Sequence, residues 1–298
     1  MPDIFFLPIL NAFIIIAIGY LVYRAIGFDQ KRISDLLIYV TGPCLIFTSL
    51  YLQKFVLSDF FALAFAAIVI VLICGLAMKI ILLALKIKSN GMMLPAMFMN
   101  SGYLGFPVSL FAFGEIGLAM AVIFDAVESL VHFTVGIFLV QDVSKRKRER
   151  VMQIMALPLI YAVVIGIGLN ISGISIPDIA IQPLKLIGSI TIPLALISLG
   201  ARLGELKVFS WKLPAAALFV RFVLGFAIGF AFVEFFNITG IVRAVILLLS
   251  IMPPAVNSFV LNQKFGKQED SEAAASAVFI GTLLSIFVVG AVLAFLTV

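Results

Sequence analysis

The chain holds 298 residues, of which 63% are apolar and 12% charged; soluble domains average roughly 45–50% apolar and about 25% charged. So little polar surface cannot cover a body in water, which excludes a soluble enzyme, a nucleic-acid-binding domain and a disordered tail. The apolar stretches are continuous rather than alternating, which excludes an outer-membrane barrel.

Ten apolar segments follow in chain order, each long enough to cross a bilayer at about 20 residues per crossing. The first, 4–26, follows Met1-Pro2-Asp3 without a basic stretch and reads as a retained helix, not a cleaved signal. The second, 34–52, carries Pro43 and Cys44, and the third, 58–85, carries Cys74; both cysteines read as buried small hydrophobes. The fourth, 91–114, is interrupted by Asn100-Ser101-Gly102-Tyr103-Leu104-Gly105-Phe106-Pro107. The fifth, 116–140, holds Asp125, Glu128, Ser129 and His132, the chain's one histidine. A basic connection, Gln141 to Arg150, leads to the sixth, 151–173, and the seventh, 178–201, which contains Pro193. The eighth, 210–236, carries Arg221 near its middle. The ninth, 240–265, is interrupted by Met252-Pro253-Pro254-Ala255-Val256-Asn257-Ser258, and the tenth is 272–298.

Positive charge stays on the cytoplasmic side of a membrane protein. With both termini outside, every Lys and Arg falls inside except Lys54, Lys185 and Arg243 on the outer side and Arg221 within its helix. The run Lys145 to Arg150 becomes the central cytoplasmic connection. Pro8 and Pro158 and likewise Pro43 and Pro193 stand 150 residues apart, and Phe113-Gly114 recurs as Phe265-Gly266 152 residues on. Five crossings per half force the second copy to enter from the opposite face. The expected architecture is therefore an all-α polytopic membrane protein of ten transmembrane helices, built as two inverted five-helix repeats, 1–145 and 146–298.

The breaks in the fourth and ninth segments fall in corresponding positions. Proline removes an amide donor and glycine eases unwinding, so polar backbone is freed at mid-membrane, where it must be buried in protein or line a watery cavity. Helix N-termini facing such a cavity suit an anion, and loose carbonyls suit a cation. The candidate substrate-binding residues are Asn100, Ser101, Gly102, Tyr103, Gly105 and Pro107 from one break, and Pro253, Pro254, Asn257 and Ser258 from the other. Pro43 and Pro193 lack such polar neighbours and read as kinks. Asp125, Glu128 and His132 share one helical stripe, and Glu128 and Arg221 lie at similar depth. Buried charges of opposite sign should pair, so a Glu128–Arg221 ion pair that a proton or an anionic substrate disrupts is one expectation; a fixed structural pair is the other. No zinc or iron ligand cluster, P-loop or hydrolase motif is present in the sequence, and no cofactor is expected.

The stretch Met99 to Pro107 with Phe113-Gly114-Glu115, the stretch Ile251 to Asn257 with Phe265-Gly266, and the closing Gly281-Thr282-Leu283-Leu284-Ser285-Ile286 resemble the auxin efflux carrier family, bacterial members included. The resemblance implies the fold of plant PIN-FORMED auxin exporters and bile-acid sodium symporters. It further implies a scaffold from helices 1, 2, 6 and 7, a transport domain from helices 3, 4, 5, 8, 9 and 10, and a substrate site where helices 4 and 9 unwind and cross. Their site prolines would correspond to Pro107 and to Pro253 or Pro254, and their polar site residues to Asn100 and Asn257. Unlike the plant exporters, this chain has no long central loop.

The function that follows is a secondary active transporter of small organic anions, carboxylates such as malonate or malate or indole acids such as auxin, working by alternating access in the cell inner (plasma) membrane. Membrane lipid and a second copy meeting at the scaffold are the expected partners, with no nucleic acid. The coupling ion, H+ or Na+, is left open. The rivals are a sodium/proton-type cation antiporter using Asp125, Glu128 and His132, and a channel or membrane sensor.

Overall fold

A computed structural model describes residues 3–53, 56–88, 90–140, 158–208 and 210–296. Lys54, the basic run Lys145 to Arg150, the start of the sixth segment and the expected boundary between the halves lie outside the described residues. Those described form an all-α polytopic membrane protein, with seven helices long and apolar enough to span a bilayer and two shorter apolar ones.

Helix α1 is Asp3–Ile26. The second segment is α2, Gln30–Leu36, continued through a wide π-helical turn, Leu37–Thr41, into α3, Gly42–Leu52. It begins before the apolar run does, because Asp29 caps it: its carboxylate accepts the N–H groups of Lys31 and Arg32 at 2.9 and 3.4 Å. Helix α4, Leu57–Ala84, is continuous. Helix α5, Met93–Met97, is short; after a gap the chain forms the π turn Ser101–Gly105 and α6, Phe106–Val131, followed by a second π turn, His132–Gly136, and α7, Ile137–Val140.

Within α6, Gly114 adopts φ 68° and ψ −163°, a conformation essentially restricted to glycine. It breaks the helix where the sequence divides the fourth segment from the fifth. Gly266, which repeats the Phe-Gly pair 152 residues on, lies between α14 (Val256–Phe265) and α15 (Gln268–Leu296).

The second half supplies α8, Pro158–Ser172, α9, Asp178–Ser189, and α10, Thr191–Glu205. The seventh segment is thus two helices meeting at Ile190, with Pro193 in the first turn of α10, as Pro43 stands in the first turn of α3. Proline is tolerated there because first-turn amides have no intrahelical acceptor. Both prolines therefore follow an interruption, in keeping with their reading as kinks. Helices α11, Lys212–Phe219, and α12, Gly225–Phe235, are joined by the π turn Val220–Leu224, and α13 is Gly240–Ser250.

Two sets of contacts dominate the packing. In one, α1 lies along α10, and α3 packs on α8 and α9. Gly19 faces the Ile197 backbone and Gly200 the backbone of Ile16 and Tyr20, an approach that any Cβ would block. Asn170 of α8 donates from Nδ2 to the carbonyls of Leu50, Tyr51 and Gln53 at 2.9–3.0 Å, closing the end of α3. In the other set, α4 packs on α5, α6, α12 and α13, and α15 on α14 and α11.

Candidate functional site

The two interrupted segments meet at their breaks. Helix α5 stops at Met97 and Phe98 is extended; α13 stops at Ser250 and the chain re-enters helix after the extended Ala255. The extended stretches pair antiparallel around Met99 and Pro254. The Asn100 N–H donates to the Pro253 carbonyl at 2.8 Å, and the Ala255 N–H donates to the Phe98 carbonyl at 3.0 Å. Unwound backbone that lipid could not satisfy is thereby satisfied by its counterpart. Pro253 and Pro254 bring no N–H that would need a partner. Gly281 of α15 completes the seat: a Cβ there would lie 2.6 Å from Pro254 Cδ and 2.7 Å from Leu218 Cδ2.

The crossing sorts four helix ends by sign. The C-terminal ends of α5 and α13 converge on Arg221, whose side chain is fully buried. Its Nη1 donates to the carbonyls of Met97 at 2.8 Å and Ala96 at 3.5 Å, and its Nη2 to the Ser250 carbonyl at 2.7 Å. One guanidinium thus holds both half-helices by their negative ends. The expected Glu128–Arg221 ion pair is not formed: among the described residues no oxygen of Glu128 comes within 4.0 Å of the guanidinium. Arg221 is not among the residues lining the cavity and is held by carbonyls at the C-terminal ends of the half-helices.

The N-terminal ends, the Ser101 turn and the start of α14, face a cavity of about 130 Å³. Its wall combines Asn100, Gly102 and Tyr103, Asp125, Glu128 and His132, and Val256 and Asn257, with Leu37, Ile38, Gly42 and Ile46 of the second segment, Leu159 of α8, and Thr191 and Ala195 of α10 opposite them. It therefore lies between the two packing sets. Seven of the residues singled out from the sequence reach its wall. Gly105, Pro107, Pro253 and Pro254 shape the backbone instead, and Ser101, outside the wall, turns its hydroxyl to Asp125. Ser258 is buried in the first turn of α14, its hydroxyl without a partner among the described residues and outside the cavity wall.

Asn100 has two roles. Its Oδ1 accepts the Tyr103 N–H at 3.2 Å, capping the turn, while its buried Nδ2 has no partner among the described residues. Glu128 and His132 are each 2% exposed. Glu128 Oε1 accepts the Met99 N–H at 3.2 Å, and Ser101 Oγ lies 2.6 Å from Asp125 Oδ1 and 3.5 Å from Glu128 Oε2. The shared stripe of Asp125, Glu128 and His132 therefore faces the break. His132 stacks on Phe98 with ring centroids 3.9 Å apart, and its Nδ1 approaches Glu128 Oε1 only to 4.0 Å, longer than a hydrogen bond.

Residues absent from the sequence-based set also contribute. Thr191 lines the cavity with a buried hydroxyl lacking a partner among the described residues. The Tyr103 hydroxyl faces Ser34 of α2, with Arg202 of α10 nearby; Arg202 in turn bonds Glu205 at 3.0 Å, and Tyr23 donates to Glu205 at 3.2 Å. This polar group joins the first break to the α1–α10 packing set. Arg202 carries a sequence signal only as one of many basic residues at helix ends, and Ser34 and Thr191 carry none.

A family model described as membrane transport protein matches residues 4–292. An uncharacterized transporter of Methanocaldococcus jannaschii is 29% identical over 300 residues, covering 94% of this chain and 95% of that protein. An uncharacterized transporter of Methanothermobacter thermautotrophicus is 27% identical over 293 residues, covering 93% of this chain and 94% of that protein.

Proposed function

The chain belongs to the membrane transport protein family, in which the auxin efflux carriers its motifs resemble are grouped, and from that premise we propose that it is a secondary carrier moving a small organic anion by alternating access. It is a transporter and not an enzyme. The observation that carries the anion reading is the sorting of helix ends at the crossover. Two N-terminal ends and the free Asn100 amide face one small cavity, while Arg221 occupies the negative ends. Preorganised amide dipoles at a helix start favour a negative group without needing a charged side chain.

In this reading the chain makes ten crossings in two inverted five-helix repeats, with Gly114 and Gly266 as corresponding breaks. Helices of segments 1, 2, 6 and 7 are the scaffold and the remaining six segments the transport domain. Support comes from the two packing sets and from the cavity lying between them. The transport set carries the crossover and slides or rocks against the scaffold, exposing the anion to each side in turn. A second copy docks on the scaffold, and both termini face away from the cytoplasm of the inner membrane.

Counterflow in proteoliposomes tests the proposal. Labelled malonate, malate, lactate and indole-3-acetate are offered to vesicles loaded with the unlabelled acid. Saturable exchange of at least one acid, falling at least tenfold in Asn100→Ala and Asn257→Ala, is the expected result. Flux without saturation or counterflow would identify a channel instead. A cation/proton antiporter is the second reading, favoured by the two carboxylates on the cavity wall; it requires sodium-dependent proton movement with no organic acid present.

A further inference from the structure

The two carboxylates at the cavity raise a question of hydrogen count. Asp125 Oδ1 lies 2.6 Å from Ser101 Oγ, the separation of a hydroxyl donating to an ionised carboxylate. A serine has one proton to donate, and Asp125 receives it. Glu128 Oε2 lies 3.5 Å from the same Ser101 Oγ, longer than an O–H···O hydrogen bond, so Ser101 gives its proton to Asp125 and none to Glu128. Glu128 Oε1 meanwhile accepts from the Met99 N–H. Two neighbouring carboxylates therefore share one serine proton, Asp125 takes it, and Glu128, buried beside a like charge, is the group placed to hold a proton of its own.

Two further atoms of the same wall lack partners among the described residues. Asn100 Nδ2 and His132 Nε2 are buried, in residues 2% exposed, and both residues line the cavity. They are the donors, or donor and acceptor, that an entering carboxylate or its proton would meet. The charged and titratable groups facing Glu128 are Asp125 and His132 on its own stripe, Tyr103 on the neighbouring turn, and Arg221, whose charge reaches it from outside the cavity wall. From α3, α8, α10 and α14 the cavity receives uncharged groups alone.

We propose that Glu128 is a proton-carrying residue that loads one exchangeable proton for each organic anion bound at the crossover, making the carrier an anion/proton symporter. This rests on the anion-carrier reading and adds its coupling. With the anion bound, Glu128 is a neutral acid beside Ser101. When the anion leaves on the far side, the proton leaves with it, and the Glu128 carboxylate keeps the Met99 N–H that its Oε1 already accepts. One anion and one proton cross together, and no oxidant or reductant takes part. An ionised Glu128 beside an ionised Asp125 would repel the entering anion, which ties binding to protonation.

The test uses the whole protein in proteoliposomes, with labelled malonate and lactate as probes, the membrane potential clamped, and a trapped pH indicator. One proton per anion makes a gradient of one pH unit equivalent to about a tenfold concentration ratio. Wild type should accumulate the acid about tenfold per unit of inward proton gradient and acidify the vesicle interior, read by the trapped indicator, as it does so. Glu128→Gln should bring the ratio of uptake with and without the gradient to about one, while Glu269→Gln, in the exposed first turn of α15, should leave that ratio at the wild-type value. Because Glu128→Gln can also disturb folding, the indicator signal in wild type decides independently. Counterflow of acid with no accumulation and no pH change overturns the coupling and leaves the carrier reading intact. Absence of counterflow together with sodium-driven, Glu128-dependent proton flux overturns the anion reading, and the symport built on it, in favour of the cation antiporter. Absence of every flux overturns both.

Discussion

Arg221 should be the side chain whose loss damages the protein most. Its guanidinium is wholly buried and makes two short bonds to the terminal carbonyls of different half-helices, at 2.8 and 2.7 Å. Each charge-assisted bond is worth roughly 1.5–3 kcal/mol, and each carbonyl left bare at depth costs about 1–3 kcal/mol. Removing the cation also recovers its desolvation cost, so the net effect is smaller than the sum; breaking a buried charged contact costs about 3–5 kcal/mol. Arg221→Leu should therefore lower the midpoint of thermal unfolding in detergent by roughly 10 °C, taking about 2–4 °C per kcal/mol for a chain of this order of size. Arg221→Lys keeps the charge but cannot fork between two helix ends, and should lose about half as much. Size-exclusion chromatography after heating reads the remaining folded fraction. A leucine variant as stable as wild type would refute the bridging role. A variant of undiminished stability that had lost carboxylate binding would show instead that Arg221 is the anion's partner.

Other substitutions probe the frame around the site. Gly114→Ala, at φ 68°, should destabilise by about 1–3 kcal/mol, visible as a lowered unfolding midpoint, whereas Gly168→Ala, with open space around it, should not. Gly281→Ala pushes a methyl group into Pro254; overpacking of this kind costs about 1–3 kcal/mol, and here it should also raise the half-saturation concentration for counterflow by shifting the crossover. Asn170→Ala removes an amide that closes the end of α3; stability should drop by about 1–2 kcal/mol while the half-saturation concentration for transport stays at the wild-type value.

The breaks were legible in the sequence because proline, glycine and asparagine cluster there within an apolar run, where a lone Pro8 or Gly75 leaves its helix unbroken, and because the interruption at Asn100 has a counterpart before Asn257. The boundary at Gly114 was legible because Phe113-Gly114 recurs as Phe265-Gly266. The stripe of Asp125, Glu128 and His132 followed from helical spacing alone. The partner of Arg221 did not. Opposite charges at similar depth point to Glu128, but the true partners are backbone carbonyls, which every residue carries and which become available only where two helices stop side by side. Ser34 and Thr191 were hidden because a hydroxyl within an apolar helix bonds its own backbone by default; only the packing of α2 and α10 against the crossover turns these two toward Tyr103 and the cavity. Helix starts also escaped hydrophobicity, as at Gln30, where the Asp29 cap and not the apolar run sets the boundary.

A cryo-electron-microscopy map of the protein in lipid nanodiscs with saturating malonate tests the central claim most directly. The account requires both helices to be broken at residues 98–100 and 251–255, with density for the anion within hydrogen-bonding reach of Asn100 and the first turn of α14. Unbroken helices through those residues, or an anion seated on Arg221, would contradict it.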